Sequence, residues 1–188
     1  MRKRNVFLWK IFINKKYKNN SFFIYIMIVS VNDEIYIAQW EHTKWLVLSS
    51  GFLLIPATYA YIHKLYSFCI LLFFTSLISA NYWRKATYSC RRTLDLLFAK
   101  ISFVVFFSNG VLYVRTLHYV IPGYAGAIML LYFYYLSGKL YEMQLSNVQK
   151  TWFKYHFMFH FIIAYEQLII LDSMINASVS ELDAKVDV

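Results

Sequence analysis

The feature that most restricts this chain is a succession of apolar runs, each near membrane-spanning length, separated by short polar breaks. A bilayer core of about 30 Å needs roughly 20 helical residues to cross it. Four or five stretches meet that length. The first runs from Trp45 to about Ile62 and carries Pro56, which is expected to kink it. His63 and Lys64 close it, and a second run follows from Leu65 to about Trp83. After the polar loop "RKATYSCRR", a third starts near Thr93 and continues through "LLFAKISFVVFFSNGVLYV". Arg115 to His118 make a turn before a fourth, Tyr119 to Leu136, and the fifth is Trp152 to Leu171. The expected fold is an all-α, multi-pass transmembrane bundle of about five spans, occupying residues 45–172.

Composition supports that class. Of 188 residues, 60% are hydrophobic and only 15% charged, with 5 Gly and 2 Pro, whereas a soluble domain needs more charge and more loop formers. The net charge of +9 does not point to nucleic acid, because the basic residues flank apolar runs instead of lining one polar face. Anchoring to a lipid bilayer is the reading that placement favours. Cys69 and Cys90 make neither a disulfide framework nor paired zinc-ligand spacing.

Outside the bundle, residues 1–44 form a basic N-terminal segment, cytosolic or interfacial. Its apolar stretch "SFFIYIMIVSV" is too short to span. Two readings of it stay open: a basic-aromatic interfacial anchor, or a translation start at Met27. Residues 173–188 read as a polar acidic tail. With five spans, the N-terminal segment, the Arg84–Arg92 loop and the Lys139–Lys154 loop share one side, which holds most of the Lys and Arg. The positive-inside rule puts that side, with the N-terminus, in the cytosol and the C-terminus outside or in a lumen. Asn176-Ala-Ser178, a glycosylation sequon, then falls on the non-cytosolic side.

Ionisable groups inside hydrocarbon are costly and are therefore candidates for function. Thr75, Ser76 and Ser79 fall on one stripe of the second span, with Trp83 one turn beyond. Asp95 opens the third span, with Ala99, Ser102 and Asn109 along the same face. His156, His160 and Gln167 share a stripe of the fifth, with Glu166 about a third of a turn away. Alternating span directions bring Ser79, Asp95, His156 and His160 to one depth. Two imidazoles at i and i+4 can face one metal ion, a carboxylate can hold or deprotonate its water, and a serine can steady an oxyanion.

This pattern resembles the membrane hydrolase superfamily that includes alkaline ceramidases and the adiponectin/progestin receptor group. The resemblance rests on Ser79 in "SLISANYW", Asp95 in "RRTLDLLFAK" and the pair in "HFMFH". It implies zinc held by His156 and His160, catalytic roles for Asp95 and Ser79, and hydrolysis of a lipid amide or ester. The family pattern has a third histidine ligand four residues after its Ser, where this chain has Trp83, and about two further spans. The relative is therefore expected to be distant or degenerate.

Other readings of the same residues stay open. The histidines suit an interfacial position past Trp152. Asp95 suits a local pair with Arg91 and Arg92. Gly123 and Ala127 suit homo- or hetero-oligomeric helix packing. A non-catalytic scaffold or partner-binding subunit is one alternative function. A transporter or proton relay through Asp95, Lys100, His160 and Glu166 is another.

Overall fold

The computed structural model describes residues 38–142 and 151–186, with side chains described for 38–140 and 151–179. The segment before residue 38, with the Met27 question, and most of the Lys139–Lys154 loop lie outside the described residues. Among the described residues six α-helices follow one another: α1 (Trp40–Ser50), α2 (Leu54–Ile62), α3 (Tyr66–Arg84), α4 (Cys90–Tyr113), α5 (Leu117–Glu142) and α6 (Trp152–Val186). A 3-10 turn, Gly51–Leu53, joins α1 to α2. These two and the turn form one span, Trp40–Ile62, so five helical units among the described residues are long and apolar enough to cross a membrane. The chain is an all-α helical bundle of the expected span number.

The distribution of side chains is that of a protein solvated by lipid. Buried positions include Thr43, Ser49, Ser50, Thr75, Ser76, Ser79, Ser102, Ser137 and Gln167. Large apolar groups such as Phe73, Phe103, Phe107, Ile128 and Leu131 point outward. In water that arrangement would expose hydrophobic patches far beyond what soluble monomers carry. In hydrocarbon it is favourable, because small residues allow close helix approach and hydroxyls bond across helices.

In place of a regular helix through Pro56, a 3-10 interruption lies just upstream of it. Proline clashes with the carbonyl four residues before it. For Pro56 that residue is Phe52, inside the 3-10 turn, so the α-helical ladder breaks at Gly51–Leu53 and resumes at Leu54. The turn at Lys64 is a C-terminal cap: Leu65 N–H donates to the Ala60 carbonyl at 2.8 Å and Lys64 N–H to that of Tyr61 at 3.0 Å. Lys64 has a φ of 62°, a left-handed conformation that glycine adopts at lower cost.

Two boundaries and one helix stripe differ from the sequence reading. Helix α4 begins at Cys90, after Ser89 in extended conformation, so Asp95 sits in the second turn instead of opening the helix. The inward stripe of α4 contains Asp95, Ser102 and Phe106, while Ala99 is exposed on the lipid side. Helix α6 does not stop at Leu171. It contains no Gly or Pro from Trp152 to Val186 and runs unbroken across the expected tail boundary at 173.

The first, second, third and last spans pack in a ring, with α1/α2 against α3 and α6, and α4 against α3 and α6. Helix α5 docks outside that ring on α6 alone among these elements. Gly126 makes the docking close: an added Cβ there would overlap the Glu166 carboxylate. Gly123 faces the same carboxylate, whereas Ala127 is exposed. Gly123 and Gly126 of α5 thus pack within the chain, while Ala127 faces outward.

Candidate functional site

The start of α1, the end of α3, the start of α4 and the start of α6 meet at one end of the bundle. Along their helices, Ser79 lies about 8 Å from Arg84, Asp95 about 8 Å from Cys90 and His160 about 12 Å from Trp152. Ser79, Asp95, His156 and His160 therefore do share a depth. Their contacts form two pairs with a bridge between them.

In the first pair, the Asp95 carboxylate lies beside the Ser79 hydroxyl of the neighbouring helix. Arg92 sits over the Tyr88 ring at 4.9 Å, next to Tyr82. In the second pair, the rings of His156 and His160 lie edge to face with centroids 4.9 Å apart. His160 Nδ1 is 2.8 Å from Ser49 Oγ, and His156 Nδ1 is 3.3 Å from Ser137 Oγ. The bridge is Ser49-Ser50 of α1. Ser50 Oγ lies 3.1 Å from Ser79 Oγ, and Ser76 donates to the Ser50 carbonyl at 2.9 Å. Among the described residues no group of three or more His, Cys, Asp or Glu is placed to hold one metal ion.

Trp83 decides what this end can do. Its ring meets His156 with centroids 4.9 Å apart and Trp152 at 6.1 Å. Trp83, Trp152, Leu46, Tyr82, Ala38 and Ala86 form a buried cluster, on which Phe153 and Phe157 pack. The position at which the resemblance implies a third ligand is thus beside the histidine pair in space. An indole has only an N–H to offer and cannot coordinate a metal. That Nε1–H is buried without a hydrogen-bond partner among the described residues. Catalytic zinc takes three protein ligands. Among the described residues, the two imidazoles have no third ligand beside them to make that set.

The relay residues do not converge either. Lys100 is exposed, Glu166 sits against Gly123 and Gly126, and Asp95 and His160 belong to the two separate pairs. Ser49, Ser50 and Ser137 were not singled out in the sequence. The signal for Ser49 and Ser50 is a Ser-Ser-Gly interruption inside an apolar run, which reads equally as packing.

At the other end, Asp172 accepts from the Tyr59 hydroxyl at 2.5 Å and from the Tyr119 hydroxyl, with Asn176 Nδ2 at 3.4 Å. Asn176 also donates to the Tyr119 oxygen at 2.5 Å, so the sequon asparagine is bonded within the bundle. A cavity of about 720 Å³ opens beside this group, away from the histidines. No protein-family model, curated protein or solved structure matches the chain.

Proposed function

We propose that this chain is a non-catalytic multi-pass membrane protein, a degenerate relative of the ceramidase and adiponectin-receptor superfamily. Its histidine end acts as a polar lock between spans in place of a metal centre. The observation that carries this reading is Trp83: it stands where the third ligand would, touches His156, and seals the pair against Trp152. The hydroxyl and imidazole groups that remain bond one another across α1, α3, α4 and α6, which holds helices in register. On the positive-inside balance, this end, with Arg84, Lys85, Arg91 and Arg92, faces the cytosol, and the Asp172 end faces outside or a lumen.

The test is lipid turnover with purified protein in vesicles, using an amide-linked and an ester-linked lipid, for the native chain and Asp95→Asn. The reading expects no hydrolysis above protein-free vesicles from either. Turnover by the native chain that Asp95→Asn abolishes would overturn it and restore the hydrolase.

A further inference from the structure

The opposite end of the bundle carries a carboxylate in an apolar groove, and the groove is open. Its lining comes from three elements: Ile55, Tyr59 and Ile62 of α2, Tyr119 of α5, and Ile169 and Asp172 of α6. Ile55 and Ile62 are largely exposed, so the groove opens toward the lipid side. Asp172 stands about 30 Å of helix beyond Trp152, one hydrocarbon thickness away, which puts it at the headgroup boundary. Its two oxygens are fixed by the Tyr59 and Tyr119 hydroxyls, and Oδ1 accepts only the Tyr59 bond among the described residues. Each tyrosine is in turn braced by a histidine ring, Tyr59 by His63 at 4.6 Å and Tyr119 by His118 at 4.1 Å. A carboxylate oriented in this way, between aromatic rings at the mouth of an apolar groove, is complementary to a cation that brings a hydrocarbon chain with it.

We infer that the groove binds a phospholipid with an ammonium headgroup, such as a choline or ethanolamine lipid. The ammonium group lies against Asp172 and the two tyrosines, and one acyl chain follows Ile55, Ile62 and Ile169. A lipid whose headgroup is only anionic meets the carboxylate with like charge and is disfavoured. This inference is independent of the histidine end. It stands or falls without regard to hydrolysis.

The experiment is lipid titration of the detergent-purified chain, read by native mass spectrometry and by the thermal unfolding midpoint. Phosphatidylcholine is compared with phosphatidylglycerol of the same acyl chains. Retention of phosphatidylcholine with a raised midpoint, at least about tenfold tighter than phosphatidylglycerol, is expected. Asp172→Asn should remove that preference. Because Asp172 also ties three helices, Ile55→Trp provides an arm that fills the groove and leaves the polar group intact; it should cut phosphatidylcholine retention to a similar degree. Equal retention of the two lipids overturns the proposal. So does an Ile55→Trp protein that binds phosphatidylcholine like the native chain. Soluble choline competing as well as the lipid would show that the headgroup is recognised without the chain and would overturn the lipid assignment.

Discussion

The two ends of this bundle are made from similar polar groups arranged to opposite effect. At one end, several buried serines and the buried His160 lie with the half-buried Asp95 and His156 beside Trp83 and Trp152, and most of the hydroxyls and both imidazoles are bonded to one another. At the other, a carboxylate held by two tyrosines borders a cavity of about 720 Å³. Polar residues in a membrane are costly wherever they lie, so both ends need a reason. The closed end has one in the helix-to-helix bonds themselves. The open end leaves its carboxylate accessible, which is what a ligand requires. The motif that resembles an enzyme is at the closed end, and the cavity is at the other.

Substitutions can break or sharpen this contrast. The largest difference should come from trimming apolar groups at each end. Leu46→Ala, in the fully buried cluster beneath Trp83, should cost about 2–4 kcal/mol, while Ile55→Ala, on the open groove, should cost less than about 0.5 kcal/mol. Denaturant unfolding in mild detergent would measure both, and similar costs would mean that the two ends are equally packed. Between the ends, Gly126→Leu should cost about 1–3 kcal/mol, since its side chain needs more room than a shift of the Glu166 carboxylate provides. Ala127→Leu, facing lipid, should be close to neutral. A reversed order would place the α5 contact in the Gly123–Ala127 register after all.

Smaller effects follow from single hydroxyls. Ser49→Ala strands His160 Nδ1 and should cost about 1 kcal/mol, within the range of interhelical bonds in membranes. Thr58→Ala should cost almost nothing, because the exposed Thr58 hydroxyl bonds only its own helix at Leu54. The smallest change is a gain: Lys64→Gly should add up to about 1 kcal/mol by relieving the left-handed residue of the cap. Thermal midpoints in one detergent would rank all three.

The span pattern and the shared depth of Ser79, Asp95, His156 and His160 were legible from apolar run length and alternating direction alone. That is because both depend on helix rise and bilayer thickness, not on side-chain detail. The Asp172 group was not legible. Asp172 follows the last apolar residue of its run and so reads as the start of a tail, and Tyr59 and Tyr119 look like members of an interfacial aromatic belt. Only the continuation of α6 past Leu171 brings the three together. Ser49 and Ser50 were overlooked for a related reason. Pro56 drew the expected kink to itself, while the clash it causes falls four residues upstream, just after the serines. Gly126 was passed over because a small-residue spacing cannot say which neighbour it meets.

The central claim is that Trp83 closes the histidine end to metal. The most direct measurement is zinc per chain, by elemental analysis after detergent purification, for the native protein and for Trp83→His. The native chain should hold well under one zinc. Trp83→His, which sets a third imidazole beside two whose rings are 4.9 Å apart, should retain about one. Stoichiometric zinc in the native protein, lost on His156→Ala with His160→Ala, would contradict the account and make this end a metal site.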